Sequence, residues 1–205
     1  MQHQIKLDLS DKGGLHGYIN SRYVGYHALP KKKAYYSNSS KYLEDFENEH
    51  ESLSIIEHTV KSNGKADVKF QESFEIEVND LNIVDDIIYL DPFIFKFFTK
   101  NPFQLQQRTY PIDFGYKDSF MYSFEIDLHN LYEVIETPKD FSVKLPNNSG
   151  EFRFFTKVLD NKLTLSFKID FKKALYHQQY YSYLKEFMNQ IVNTQTKTLI
   201  VLKKK

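Results

Sequence analysis

Apolar and polar residues alternate strictly over several stretches of this chain, and this period of two constrains the fold more than any other feature. Successive side chains of a β-strand point to opposite faces, so each stretch predicts a strand with one apolar and one polar face. Such strands are typical of antiparallel sheets with one face in solvent. The clearest alternations are Ile5, Leu7 and Leu9; Phe70, Phe74, Ile76 and Val78; Phe120, Tyr122, Phe124, Ile126 and Leu128; and Leu163, Leu165, Phe167, Ile169 and Phe171.

Turn-forming residues separate these stretches at intervals of about one strand length. Gly, Asn, Asp and Pro tolerate or impose the backbone conformations of tight turns. The spacing predicts a mainly β fold, an antiparallel β-sandwich of immunoglobulin-like or related type, with an open barrel as the alternative. The predicted turns are Lys12-Gly13-Gly14, Asn63-Gly64, Pro146-Asn147-Asn148-Ser149-Gly150 and Asp160-Asn161-Lys162.

Two stretches depart from the period of two and predict helices. Near the C-terminus, apolar residues repeat at intervals of three and four, which gives an amphipathic helix one face to lay on a sheet; they are Tyr180, Leu184, Phe187, Met188 and Ile191. The stretch from Ser39 to His58 predicts a second helix, capped by Ser40, with its apolar face formed by Tyr42, Leu43, Phe46, Leu53 and Ile56. The final residues, KTLIVLKKK, return to a strand pattern.

The two halves of the chain differ in character, and the change falls near Lys100. Residues 1–100 read as an irregular, β-rich linking segment or subdomain. Residues 101–205 read as a β-sandwich domain that ends in a helix and a strand. With 205 residues, the chain is also long enough for both halves to form one large β-domain. Its alternation begins at Ile5 with no signal-peptide pattern before it, so we expect a piece of a longer protein.

Composition excludes several classes of function. The 27 basic residues balance the 27 acidic ones, so no global field attracts nucleic acid. The chain has no cysteine, which excludes disulfides, thiolate nucleophiles and sulfur-ligated metals. The most apolar run, Ile87 to Phe98, is interrupted by Asp91, Pro92 and Lys96 and is too short to span a membrane. We therefore expect no nucleic-acid partner and no membrane insertion.

No pattern of catalytic or metal-binding residues stands out. The closest approach to a metal cluster is Glu47, Glu49, His50, Glu57 and His58, but its spacing fits no known ligand set and a charged surface explains it better. A nucleophile elbow, G-x-S-x-G, is absent from the sequence, and Gly13 to Gly17 (GGLHG) indicates a tight turn with a close backbone approach. Lys31-Lys32-Lys33 reads as solvated charge at a turn. We predict neither catalytic residues nor a metal or cofactor.

Aromatic residues are abundant, with eighteen phenylalanines and fifteen tyrosines. Phe93, Phe95, Phe97 and Phe98, or the pair Tyr35 and Tyr36, could line a sugar-binding groove. Core packing is the better explanation, because a buried ring contributes roughly 1.5–3 kcal/mol and a sandwich core needs such rings.

The segment Asn101 to Tyr116 (NPFQLQQRTYPIDFGY) predicts a structural corner rather than a binding loop. Pro102 and Pro111 lack an amide donor and belong at strand starts or edges. Arg108 is one of only three arginines, and Asp113 is its nearest expected partner for an ion pair that would fix the bend. Gly115 allows close packing or a positive φ.

The same segment carries a resemblance to a known family. The resemblance rests on an ordered series of motifs. In chain order they are Asn101-Pro102-Phe103, Arg108, Tyr110-Pro111, Asp113-Phe114-Gly115-Tyr116, Tyr132-Glu133-Val134, Pro138, Leu145-Pro146-Asn147-Asn148 and the helix before LIVLKKK. Together these motifs resemble the uncharacterised C-terminal β-domain that follows the transglutaminase-like domain in secreted bacterial transglutaminase-like and putative protease proteins. The likeness covers residues 101–205, and the first hundred residues resemble more loosely the segment that links the two domains.

The resemblance implies a role but no chemistry of its own. It implies an extracytoplasmic location, in the periplasm or at the cell surface, and a transglutaminase-like domain in the same polypeptide as partner. That domain carries a Cys-His-Asp triad in the family, and no residue here corresponds to it. We therefore expect a non-catalytic accessory domain that supports the transglutaminase-like domain or shapes access to it. The alternatives are a module that binds a cell-surface glycan or protein, and a hydrolase built on His50 and His58.

Overall fold

The computed structural model of the protein describes residues 1–50, 52–61, 67–79 and 81–205. Its helices are α1 (Ala28–Ser37), α2 (Ser39–Asn48) and α3 (Tyr181–Lys197), with short 3₁₀ turns at Gly25–His27, Pro146–Asn148 and Gln178–Tyr180. Its strands are β1 (Gln2–Leu9), β2 (Leu15–Val24), β3 (Leu53–Val60), β4 (Lys69–Val78), β5 (Ile83–Val84), β6 (Ile87–Leu90), β7 (Ile112–Asp113), β8 (Asp118–Asp127), β9 (Tyr132–Glu136), β10 (Phe141–Lys144), β11 (Gly150–Leu159), β12 (Lys162–Phe171), β13 (Leu175–Tyr176) and β14 (Ile200–Lys204).

An eight-stranded sheet forms the larger layer, in the order β10-β11-β12-β8-β1-β2-β4-β3. Its strands pair antiparallel, as predicted, except that β1 runs parallel to β8. This pair joins strands from residues 1–100 to strands from residues 101–205. The two halves therefore share one sheet and one continuous core, while their division into two domains at Lys100 stays a prediction.

The second layer covers one face of this sheet. It contains a four-stranded sheet, β5-β6-β14-β9, a two-stranded sheet, β13-β7, and the three helices. The mainly β, sandwich-like architecture predicted from the alternation is confirmed. The layers differ from two matched sheets, however, because helices form much of the second one.

Core side chains come from alternate positions of the long strands, as the period of two requires. Strand β2, for example, alternates buried and exposed residues along its whole length. Aromatic rings fill much of the core. Phe93 meets Phe167 edge-on, with 5.3 Å between ring centroids, and Phe46 stacks on Phe74, with 4.5 Å between ring centroids. Phe93 is buried, whereas Phe95, Phe97, Phe98, Tyr35 and Tyr36 are half-buried. Phe95, Phe97, Phe98 and Tyr35 pack against the core, which supports packing over a sugar-binding groove for these rings.

Helix α3 is the predicted C-terminal amphipathic helix. Leu184, Phe187, Met188 and Ile191 lie on its buried face, and Phe187 contacts Phe171 of the large sheet at 5.8 Å. Strand β14 then follows, as the terminal pattern predicted. No helix in the described residues combines the length and the hydrophobicity needed to cross a bilayer.

The second helix is shorter than predicted, and its cap differs. Helix α2 ends at Asn48, and Leu53 and Ile56 lie in strand β3, so the prediction of one helix to His58 is wrong. Its cap is Asn38, whose side-chain oxygen accepts a hydrogen bond from the Lys41 N–H at 2.9 Å, and not Ser40. Asn38 has the extended backbone of a capping residue, whereas Ser40 is already inside the helix.

Helix α1 was not predicted, because Pro30 and three consecutive lysines conceal it. Proline is tolerated in the first helical turn, where no intrahelical N–H bond is lost. Lys31 to Lys33 therefore lie on a helix and not at a turn. Lys32 is buried rather than solvated.

The turn predictions hold where the structure describes the residues. Gly13 turns between β1 and β2 with φ +81°, and Asp160 and Asn161 connect β11 to β12 with φ of +50° and +63°. Asn147 and Asn148 adopt positive φ before β11. The predicted turn at Asn63-Gly64 lies outside the described residues. Near the first turn, Gly17 is the predicted close backbone approach, since a Cβ there would lie 2.1 Å from the Lys6 carbonyl oxygen.

Replacing Gly17 by alanine should destabilise the protein by about 3 kcal/mol or more, because the methyl group cannot be accommodated without separating β1 from β2. Gly14→Ala is the matched control: its nearest neighbour would be Ser10 Oγ at 3.4 Å, and its cost should stay within about 1 kcal/mol. Urea denaturation of both variants measures the difference. Equal costs would contradict the close approach.

Candidate functional site

The five residues of the predicted corner do not come together around an ion pair. Pro102, Arg108 and Pro111 are exposed, and no acid in the described residues lies within 4.0 Å of the Arg108 guanidinium. The expected pairing of Arg108 with Asp113 is therefore wrong. Asp113 instead accepts a hydrogen bond from the Gly115 N–H at 2.7 Å, and Gly115 has φ +77°. That the five residues act as a structural corner stays a prediction.

Other residues anchor this segment to helix α3. The Asn101 side chain donates to the Lys185 carbonyl at 2.8 Å and to Asn189 Oδ1 at 2.7 Å. Phe103 is buried and meets the Tyr181 ring edge-on at 5.7 Å. The Tyr181 hydroxyl donates to the Leu105 carbonyl at 3.0 Å. The segment is thus fixed by one buried ring and by hydrogen bonds to a helix.

The two histidines that the sequence offered as candidate metal ligands, His50 and His58, have separate partners. His50 is hydrogen-bonded to the carbonyls of Phe46 and Ile94 at 2.8 and 3.1 Å. His58 Nε2 lies 3.0 Å from Glu72 Oε2. Glu47 accepts a hydrogen bond from the Ile55 N–H at 2.8 Å. These side chains do not gather around a common point, so the structure gives no support to a hydrolase based on them.

A cluster of polar side chains lies at positions where the alternation predicts apolar core residues. His3, Ser21 and Glu72 stand directly opposite one another on β1, β2 and β4, all on the buried face of the large sheet. His3 Nδ1 is 2.8 Å from Ser21 Oγ. The Tyr42 hydroxyl donates to both Glu72 oxygens at 2.8 and 2.9 Å. We call these residues, together with His58 and Tyr23, the buried polar cluster.

Burial dominates the electrostatics of this cluster. It lowers the pKa of His3 from its ordinary 6.5 to about 3, with a smaller contribution from the Lys31 charge. It also raises the pKa values of Tyr23 and Tyr42, and the Glu72 carboxylate adds to both shifts. His3 is therefore neutral near pH 7, and both tyrosines keep their protons. The ring of His3 stacks on Phe95 at 4.1 Å.

Chemically, His3 and Ser21 form the hydroxyl–imidazole pair that nucleophilic catalysis would use. Both are sealed from solvent, with exposures of 2% and 3%. A substrate cannot reach Ser21 without displacing the side chains that pack on this face of the sheet. The cluster instead connects helix α2, through Tyr42, to strand β4, through Glu72. Sequence reasoning missed these residues, although a polar side chain at a core position of an alternating strand is a readable signal.

A second group of polar residues lies at the end of β1 and β8. The parallel register places Asp8 directly opposite Asp127, and His129 lies beside both. The His129 ring nitrogen Nε2 is 2.9 Å from Asp8 Oδ1, and the His129 backbone N–H donates to Asp127 Oδ1 at 3.0 Å. That N–H bond is the largest cause of a lowered pKa at Asp127. The three side chains have the donor types to hold a metal ion, but Lys162, 3.3 Å from Asp127, already compensates the charge.

One exposed patch is apolar. Val24, Tyr26, Leu29 and Val68 are 42%, 71%, 66% and 67% exposed. The last three line a depression of about 360 Å³ beside Gly25. We call these four residues the apolar patch. Exposed apolar side chains grouped in this way are typical of contact surfaces.

Phe103→Ala should cost about 3–5 kcal/mol of unfolding free energy, because it removes a buried ring between the 101–116 segment and α3. Arg108→Ala should change stability by less than about 0.5 kcal/mol, since its side chain is exposed and unpaired in the described residues. Denaturant titration of both variants tests this. A large loss of stability in Arg108→Ala would show instead that the Arg108 guanidinium anchors the 101–116 segment.

The buried imidazole of His3 should make stability depend on pH. Its folded pKa is below its unfolded pKa, so this contribution is complete above about pH 6.5 and is lost as pH falls towards 3, when only the unfolded chain takes up the proton. His3→Gln removes this term, so its cost should shrink between about pH 7 and about pH 5. Urea denaturation at both pH values measures it, with exposed His177→Gln as the matched histidine loss. If the loss of unfolding free energy in His3→Gln is the same at both pH values, the His3 ring is not held neutral by burial.

Comparison with known proteins places the chain in a family. The family model of DUF3858, a domain of unknown function with a solved structure, matches residues 86–201. This match covers more than half of the chain. No curated protein and no individual solved structure matches the chain. The matched residues include β6 to β13, helix α3 and part of β14, which overlap the stretch that carries the sequence resemblance. The chain therefore belongs to the DUF3858 family of uncharacterised domains.

Proposed function

We propose that this chain is a non-catalytic accessory β-domain of a longer, extracytoplasmic protein, in which it follows a transglutaminase-like domain and supports that domain or shapes access to its cleft. The motifs between Asn101 and Asn148 support this partner by resemblance. Membership of an uncharacterised domain family is compatible with the proposal and does not specify a reaction.

The observation that carries the proposal is the burial of the chain's own hydroxyl–imidazole pair. Ser21 and His3 are within hydrogen-bond distance, yet both are almost completely buried under helices and aromatic rings. A working nucleophile must meet its substrate within about 3–3.5 Å, which this arrangement prevents. The polar groups with catalytic character thus serve cohesion, which supports a non-catalytic role for this chain.

The apolar patch is the surface that we expect the neighbouring domain to cover. Its side chains are large, adjacent and solvent-exposed, and interfaces between domains of one chain bury such residues. Tyr26 also stacks on Tyr116 at 4.9 Å, which gives the patch a rigid aromatic border. Contact here would place the other domain beside α1 and the end of β2.

Removing this domain from the parent protein should lower the melting temperature of the transglutaminase-like domain or change its substrate turnover. The parent with and without residues 1–205 is compared by calorimetry and by a transamidation or proteolysis assay. If solubility, melting temperature and turnover are all unchanged, the accessory role is wrong.

A point variant localises the contact. Leu29→Asp in the parent should reproduce the effect of deletion, because it places a charge in the apolar patch. Leu159→Asp is the matched control, since Leu159 is 55% exposed at the tip of the β11–β12 hairpin, outside the patch. The isolated chains of both variants should remain folded. Equal behaviour of the two variants in the parent would exclude the patch as the interface.

A further inference from the structure

The solvent-facing side of the large sheet carries a row of uncharged polar side chains. Ser73, Asn20, Gln4, Ser123 and Ser166 stand directly opposite one another on β4, β2, β1, β8 and β12, and Phe155 on β11 ends the row. Of these six, Gln4, Asn20, Ser166 and Phe155 are exposed, and Ser73 and Ser123 are half-buried. We call them the neutral row.

The neutral row differs from its surroundings in how its hydrogen-bonding side chains are used. In the described residues, none of its five polar side chains makes a hydrogen bond. Some charged residues on the same face pair with one another, Lys6 with Glu125 and His16 with Glu75. Arg22 and Lys157, which also line this face, form no ion pair in the described residues. Amide and hydroxyl groups both donate and accept. The row therefore offers free donors and acceptors and itself carries no charge.

The row is also concave. One depression of about 280 Å³ is lined by Gln4, Ser123, Ser166 and Phe155, and another of about 290 Å³ by Gln4, Asn20 and Ser73. Both depressions include Gln4, and we call the two together the trough, which extends across six strands. At about 4.8 Å between strands, the trough is about 24 Å long. Small serine side chains form its floor because they leave space between the bulkier charged rows.

Phe155 provides an apolar end to the trough. Its ring is 43% exposed and, among the described residues, contacts no other aromatic ring. The other phenylalanines of β11, Phe152 and Phe154, point into the core. An exposed, unpartnered ring at the end of a hydrogen-bonding trough suits a ligand that has both hydroxyl groups and apolar C–H faces.

We infer that the neutral row is a binding site for an uncharged oligosaccharide that lies across the strands. Sugar hydroxyls match the mixed donors and acceptors of the row, and the C–H face of one sugar ring stacks on Phe155. The row itself carries no charge, and Arg22 and Lys157 lie beside it rather than in it, so an acidic sugar is the competing ligand that the titration must exclude. An extended peptide is disfavoured, because peptides recognised by sheets take main-chain hydrogen bonds from an edge, and this face offers only side chains.

This inference is independent of the accessory role, because it concerns the opposite face of the sheet from α1 and can be tested on the chain alone. Isothermal titration calorimetry is performed with neutral pentasaccharides of glucose and of N-acetylglucosamine, an acidic oligogalacturonate and an unstructured polar peptide. At least one neutral pentasaccharide should bind. In NMR spectra, it should shift the side-chain amide signals of Gln4 and Asn20.

Variants on and off the trough test the location. Phe155→Ala and Gln4→Ala should each weaken binding roughly tenfold, because each removes one stacking or hydrogen-bonding group. Tyr183→Ala and Gln106→Ala remove an exposed ring and an exposed amide elsewhere and should leave the affinity unchanged. The inference fails if no neutral pentasaccharide binds, if only the acidic sugar or the peptide binds, or if binding survives both trough variants.

Discussion

The parallel pairing of β1 with β8 is the constraint on which the rest of the structure depends. Gln2 to Asp8 pair with Met121 to Asp127, more than a hundred residues away, and β2 and β12 then extend the sheet on either side. The Met1 amino group donates to the Ser119 carbonyl at 2.9 Å and continues this alignment. A slip of one residue would exchange the two faces of β1, which would move His3 out of the core and Gln4 into it. The buried polar cluster and the neutral row therefore share one register.

The buried polar cluster shows how the second layer is positioned. Hydrophobic contacts hold α1 and α2 on the sheet but are not directional. Glu72, by contrast, is buried and accepts hydrogen bonds from Tyr42 of α2, with His58 of β3 close by. An unpaired carboxylate would be costly there, so the native position of α2 is the one that satisfies it. Lys31 adds to this by placing its ammonium group over the Tyr23 and Tyr42 rings at 5.5 and 5.4 Å.

Much of the fold could be predicted from periodicity, because the period of a strand determines which face each residue occupies. It predicted β4, β8 and β12 and the buried face of α3 correctly. Periodicity does not specify partners, so the β1–β8 pair could not be foreseen. Short-range signals also failed where tertiary contacts decide: Leu53 and Ile56 look helical but form an edge strand. The rarity of Arg108 suggested a contact, yet rarity carries no geometric information.

The candidate sites lie at the positions where the alternation is broken or where its polar face carries no charge. A polar residue at a core position, such as Glu72, must find buried partners and so becomes part of the scaffold. A neutral polar residue on the open face, such as Ser123, has no such obligation, and its hydrogen-bonding groups remain free for a ligand. Among the aromatic residues, Phe154 and Phe155 are neighbours in sequence but point to opposite faces, one buried and one exposed. The side of the sheet to which a residue points therefore separates the residues that hold the domain together from those that we propose bind a ligand.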